Sequence, residues 1–238
     1  MQAIIMAAGR GSRLGNLTDD RPKSFLEVNG ESLIDHNIKM LHAFGIKDIK
    51  IVTGYKNEMF EEHFKGNANI ELIYNPFYEM MNVLGSFFMG MGALKDDEET
   101  VFLHADTVCD YGIFKDMLEK EGDMVLPVDF RPCDEEAMKV LTKDGEVIEI
   151  SKEIDCSKGE GEFIGICKIK DSAVVRVKEA AKKLMKEKQF KEYFEGAIQE
   201  LINRKQYRII TVATNGRFWG EVDTEEDLER VKQQADAL

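Results

Sequence analysis

Ala3-Ile4-Ile5-Met6-Ala7-Ala8-Gly9-Arg10-Gly11-Ser12-Arg13-Leu14, followed closely by Arg21-Pro22-Lys23-Ser24-Phe25, is the stretch that decides the fold. Ala3 to Met6 is a short apolar run of the kind that forms a buried strand. It empties into small residues and glycines whose backbone N–H groups can come close to an anion. Consecutive N–H groups make a nest, Arg13 adds a forked guanidinium matched to phosphate oxygens, and Lys23 returns a point charge behind a proline that fixes its approach. Two cations around a glycine turn predict a polyphosphate ligand. A turn that merely ended a strand would account for Gly9 and Gly11 but for neither cation. The P-loop pattern is absent here, because no Lys-Ser or Lys-Thr follows a glycine at the required spacing. The dinucleotide fingerprint fails as well, its third glycine falling on Leu14.

Outward from this turn the chain alternates strand and helix. Ser32-Leu33-Ile34-Asp35 opens a helix whose apolar residues recur at helical spacing and which Gly45 ends. Strands are expected at Ile49 to Thr53, Ile70 to Tyr74 and Val101 to Leu103, with helices at Glu58 to Phe64 and Leu84 to Leu94. The alternation predicts an α/β, Rossmann-like three-layer fold with a mostly parallel central sheet and ligands at the carboxyl ends of its strands. After about residue 128 the pattern changes. Asp144-Gly145 joins Met138 to Thr142 and Val147 to Ser151 as a hairpin. Phe163 to Ile169 reads as one further strand, Ser172 to Lys188 as a long helix, Arg208 to Ala213 as a strand, and Thr224 caps a last helix. We therefore expect a single domain: residues 1–128 bind nucleotide, 129–223 form a β-rich excursion for an acceptor, and 224–238 form the C-terminal helix.

The 238 residues, 43% of them hydrophobic, suffice for a large core, and a net charge of -13 argues against a nucleic-acid or acidic-membrane surface. The lysines 182, 183, 186 and 188 read as the solvated face of a helix. Neither an 18-residue apolar run nor a secretory leader is evident, so a cytoplasmic protein is expected. Cys109, Cys133, Cys156 and Cys167 form no Cys-x-x-Cys pair and read as reduced thiols.

Two strands end in carboxylates: Val101-Phe102-Leu103-His104-Ala105-Asp106 and Trp219-Gly220-Glu221-Val222-Asp223. Beside a polyphosphate turn, Asp106 and Asp223 suit Mg2+, which takes one or two carboxylates plus waters and phosphates. His104 reads as a pocket-edge residue.

Ala-Ala-Gly-x-Gly-Ser-Arg-Leu with a downstream Pro-Lys resembles the start of the nucleotidyltransferases that make nucleoside-diphosphate sugars and alcohols. The placing of Asp106 and Asp223 extends the resemblance over most of the chain. Length narrows it to the small bacterial cytidylyltransferases that activate phosphocholine, aminoethylphosphonate or inositol phosphate with CTP. The resemblance implies that Ala7, Ala8, Gly9, Gly11, Ser12, Arg13 and Lys23 hold the triphosphate, with Arg13 and Lys23 catalytic. It assigns Asn82 and Ser86 to the base and ribose, Asp106 to nucleotide and metal, and Asp223 to metal. Lys152 and Glu162 are expected to hold the acceptor, and Trp219 to cover a cationic head group. The acceptor phosphate or phosphonate, already an anion, would attack the α-phosphorus directly and leave no covalent enzyme intermediate. A sugar-1-phosphate nucleotidyltransferase would share the turn and aspartates but usually carries a Gly-Thr-Ala-like sequence where Asn82 to Ser86 stands. A molybdopterin nucleotidyltransferase shares the turn but matches less well after Asp106 and around Glu162. The retention of Lys23, Asp106 and Asp223 argues against a non-catalytic nucleotide-binding regulator. Neither the acceptor's identity nor the choice between monomer and homodimer is readable.

Overall fold

The computed structural model describes residues 1–234. Its first half runs β1 (Gln2–Ala7), β2 (Glu27–Val28), β3 (Glu31–Ser32), α1 (Leu33–Ala43), β4 (Asp48–Thr53), α2 (Asn57–His63), β5 (Ile70–Tyr74), α3 (Val83–Gly90), β6 (Thr100–His104), β7 (Thr107–Cys109), α4 (Tyr111–Glu119) and β8 (Met124–Asp129). The second half adds β9 (Lys139–Lys143), β10 (Glu146–Ser151), β11 (Gly161–Phe163), β12 (Ile166–Ile169), α5 (Asp171–Lys186), α6 (Phe194–Arg204), β13 (Ile209–Ala213), β14 (Trp219–Glu221) and α7 (Glu225–Gln234). Residues 235–238, the end of the expected C-terminal helix, lie outside the described residues.

A ten-stranded sheet of order β11-β9-β10-β13-β8-β12-β6-β1-β4-β5 organises these elements. From β13 to β5 only β12 runs against the others. The central sheet is thus mostly parallel, as expected, and β9 to β11 form the antiparallel excursion. β1 is buried along its whole length because helices cover both its faces. Ile4 and Met6 point into a core shared with α3, α5 and α6, whereas Ala3, Ile5 and Ala7 point into one shared with α1 and α4. These two cores make three layers. Phe194 stacks on Phe102 with ring centroids 3.7 Å apart, which pins the start of α6 to the sheet.

Local chemistry sets the boundaries. Ser32 accepts the Asp35 N–H at the start of α1, and Gly45 follows its end at φ +77°. Asp144 and Gly145 both take positive φ, which lets the hairpin turn tightly between β9 and β10. One expectation is corrected: Phe163 to Ile169 is two strands, β11 and β12. Gly165 breaks it at φ +78°, where a Cβ would lie 2.8 Å from His104 Nδ1. Each piece therefore pairs separately, β11 with β8 and β9, β12 with β6 and β8.

Candidate active site

A cleft of about 460 Å³ opens at the carboxyl ends of β1 and β6 and is walled on its far side by the antiparallel excursion. Met6 stands beside His104 in register, and the Ala105 N–H donates to the Met6 carbonyl at 3.1 Å, so the strand ends Ala7-Ala8 and Ala105-Asp106 emerge together. Asn37, fully buried on α1, donates to the Ala105 carbonyl at 3.2 Å and fixes that corner. The strand end carrying Asp223 arrives separately. β14 pairs with β7, and the Val222 N–H donates to the Asp106 carbonyl at 3.1 Å. The Asp227 carboxylate then accepts the backbone N–H groups of Asp223 and Thr224, so α7 is capped by the segment that positions Asp223.

Lys23 joins the two aspartates. Its ammonium contacts Asp106 and lies 2.6 Å from Asp223 Oδ1, and its side chain is only 14% exposed. Gly11 makes room for it: φ is +75°, and a Cβ there would lie 2.9 Å from Lys23 Cβ. A Cβ on Gly9 would meet nothing within 4 Å, so the space over the turn is open. Arg13 completes the cluster, donating to Asp223 Oδ2 at 2.6 Å and lying 3.8 Å from Glu136. Burial works against the Lys23 charge, but Asp106, Asp223 and Glu221 outweigh it and raise its pKa. Burial likewise opposes the charge on Asp223, and Lys23 and Arg13 hold its carboxyl below the usual range.

Of the other residues expected in the site, Ala7, Ala8 and Gly11 line the cleft, but Ser12 is exposed and does not. Asn82 and Ser86 also line it. The Asn82 amide donates to the Lys191 carbonyl at 2.6 Å, and the buried Ser86 hydroxyl accepts from Asn75 at 3.1 Å. Lys152 lies 3.6 Å from Glu136 and 5.1 Å from the centroid of the Tyr193 ring. Glu162 accepts from Arg131 at 2.9 Å. The Trp219 ring is covered by the Arg131 guanidinium at 5.2 Å, and its indole N–H donates to Asp129 at 2.9 Å. A cation of this chain therefore occupies the ring expected to meet a ligand.

Two acids here escaped the sequence reading. Glu221 lies one turn of the strand pleat from both Trp219 and Asp223, and that period of two was the available signal. Its side chain remains partly open to solvent; desolvation in the cleft, with Asp106 repulsion added and Lys23 opposing, pushes its carboxyl up to about 8. Glu195, on α6, is 3% exposed and raised by burial. Its helix was not predicted, so nothing brought it to the cleft.

The carboxylates of Asp106 and Glu221 fit a hard divalent cation, with the His104 imidazole beside them. Ligand atoms of His104, Asp106 and Glu221 lie within 4.8 Å of one another, and Asp106 Oδ1 is buried with no hydrogen-bond partner among the described residues. Asp223 lies outside that trio, both of its oxygens being taken by Lys23 and Arg13.

A mostly parallel α/β sheet with a glycine turn, a buried lysine and paired carboxylates at its strand ends defines an enzyme of phosphate chemistry. The sequence pattern of the family described as "Nucleotidyl transferase" matches residues 2–124. The chain belongs to that family and is a nucleotidyltransferase. It is 26% identical over 249 residues to the CTP:phosphoglutamine cytidylyltransferase of Campylobacter jejuni, covering 96% of this chain and 98% of the relative. It is 32% identical over 150 residues to the choline-phosphate cytidylyltransferase of Haemophilus influenzae, covering 63% and 62%. The fold superposes on the CTP:phosphocholine cytidylyltransferase of Streptococcus pneumoniae with a TM-score of 0.81 at 24% identity, over 98% of this chain and 97% of that one. No helix among the described residues is long and apolar enough to cross a membrane.

Proposed function

We propose that the enzyme transfers a cytidylyl group from CTP to a small acceptor bearing a phosphate or phosphonate, with release of pyrophosphate. One observation carries this reading: Lys23 is held between Asp106 and Asp223, directly beside the Gly9 to Gly11 turn and Arg13. Such a cluster exchanges its internal ion pairs for phosphate oxygens without moving its backbone. The cytidylyltransferases among the relatives support CTP as the nucleotide and a phosphorylated small molecule as the acceptor.

In this reading residues 1–128 bind the nucleotide and 129–223 the acceptor. The turn at Ala7, Ala8, Gly9 and Gly11 receives the triphosphate, Asn82 and Ser86 face the nucleoside, and Lys23 and Arg13 offset charge on the departing pyrophosphate. Lys152 and Glu162, with Trp219 behind Arg131, orient the acceptor. An acceptor anion needs no base to activate it, so alignment against the α-phosphorus and charge compensation make up the catalysis. Asp106, joined by Asp223 once Lys23 and Arg13 turn to phosphate oxygens and with His104 and Glu221 beside them, would hold Mg2+, which supplies Lewis acidity at the phosphoryl oxygens when bound.

The test is pyrophosphate release measured with CTP, UTP, GTP, ATP and dTTP against phosphocholine, 2-aminoethylphosphonate and sugar 1-phosphates, with and without Mg2+. Release that requires CTP, Mg2+ and a non-sugar acceptor is the expected result. Equal use of dTTP with a sugar 1-phosphate would replace this reading by the sugar branch.

A further inference from the structure

Glu195 is the one buried acid of the cleft wall that nothing in the mechanism uses. It is the second residue of α6, it is 3% exposed, and its Oε2 has no hydrogen-bond partner among the described residues. It nevertheless lines the same cleft as Lys152, Tyr193 and Trp219, and the basic groups whose charge acts on it are His104 and Lys152. The Lys152 ammonium is already shared with Glu136 at 3.6 Å and the Tyr193 ring at 5.1 Å. The position is rigid, because the preceding residue, Phe194, is stacked on Phe102 at the sheet.

A buried acceptor oxygen without a donor is uncommon in folded proteins. Where it borders a ligand cleft, the missing donor is naturally supplied by the ligand. The helix N-terminus eases the charge but leaves that oxygen unpaired. A quaternary ammonium has no N–H to give, and its methyl groups would seal the oxygen off from water. A primary ammonium presents three donors.

We propose that Glu195 selects the acceptor by receiving an N–H from its head group, so that the acceptor's chemical class is a primary aminoalkyl phosphate or phosphonate. This rests on the acceptor reading given above. Lys152 then holds the anionic end and Glu195 the nitrogen end, and the selection lies in the second half of the chain.

The experiment compares phosphoethanolamine with phosphocholine, and 2-aminoethylphosphonate with ethylphosphonate, as acceptors for CTP. Each is assayed by pyrophosphate release with the wild type, Glu195→Gln and Glu195→Asp. The wild type should favour the primary amine of each pair by about tenfold or more in kcat/KM, as expected when a buried polar group would be left unpaired. Glu195→Gln should shrink both preferences to within about threefold with the KM for CTP unchanged, because a neutral amide attracts the ammonium far less. Glu195→Asp, which keeps the charge but withdraws it by one methylene, should fall between the two. Equal or better use of phosphocholine by the wild type, or an undiminished preference in Glu195→Gln, would overturn the assignment and make Glu195 a structural residue of the helix start. No release from CTP with any of the four acceptors would instead sink the cytidylyl-transfer reading itself.

Discussion

The two walls of the cleft are built differently. On the side that we assign to the nucleotide, Lys23 and Asp106 are 14% and 16% exposed, and the groups that meet there come from strand ends locked by backbone hydrogen bonds. On the side that we assign to the acceptor, Arg131 is 52% and Glu136 77% exposed, and Lys152, Glu162 and Trp219 each come from a different segment. A triphosphate is the same in every member of a family, so its charges can be met by a preorganised cluster. Acceptors vary, and partly exposed side chains on short edge strands and loops change at less cost to the fold than a buried cluster at the centre of the sheet. The family pattern, which covers residues 2–124, falls on the first wall.

The sharpest way to break this contrast is at the aspartates. Asp106→Ala or Asp223→Ala should lower turnover by about 10³-fold, the scale on which a preorganised electrostatic group acts. Pyrophosphate release measured beside a circular dichroism spectrum tests this, and full activity in either variant would remove the two-aspartate arrangement. Next in size is Lys23→Ala, for which we expect a loss of about 100-fold in kcat. A change in thermal stability alone, with kinetics intact, would make Lys23 a strut.

The acceptor wall should respond more mildly. Trp219→Leu removes the surface under Arg131 and the bond to Asp129, and should raise the acceptor KM by roughly five- to thirtyfold, about 1 to 2 kcal/mol, leaving the KM for CTP nearly unchanged. If cationic and uncharged acceptors suffer equally, the ring acts through Arg131 and packing rather than on a head group.

The smallest effect concerns stability and pH. Burial raises the Glu195 carboxyl in the folded protein, so the folded state holds its proton to a higher pH than the unfolded chain. Stability linked to this group is fully present below the unfolded value, near 4.3, and is lost as pH rises through the folded one. Glu195→Gln lacks that loss. Its Tm should exceed the wild type's by about 2 °C or more at pH 7.5, with the difference vanishing near pH 4. A gain that is independent of pH would mean that packing, not ionisation, had changed.

The nucleotide wall was legible because its signals are local. Strand, glycine turn, Arg13 and Lys23 lie within 25 residues, and Ser32 and Gly45 punctuate the helix that follows. The acceptor wall depends on distant pairings that no local pattern encodes. Phe163 to Ile169 reads as one strand because its apolar residues are interrupted only by Gly165 and Lys168; the approach of His104 explains why Gly165 divides it. The helix α6 was missed because Tyr193, its capping position, makes no side-chain cap bond and Gly196 stands in its first turn. Arg131 lies between strands, and its contacts with Glu162 and Trp219 exist only once the excursion has folded back.

The small core beneath the phosphate turn has a consequence for how activity is lost on heating. Leu14 and Leu26, which flank the turn and Lys23, pack with Leu228 and Val231 of the last helix, and Asp227 of that helix holds the Asp223 backbone. The first and last segments of the sequence thus share one anchor, and the last is a helix that can detach without opening the large sheet. Release of those two side chains would free the Asp227 carboxylate that caps the Asp223 backbone, leaving Asp223 held by the Val222 bond to Asp106 and by Lys23 and Arg13. We therefore expect turnover on heating to follow the docking of this helix and to fall before the sheet melts, which pyrophosphate release recorded beside circular dichroism over the same temperatures checks.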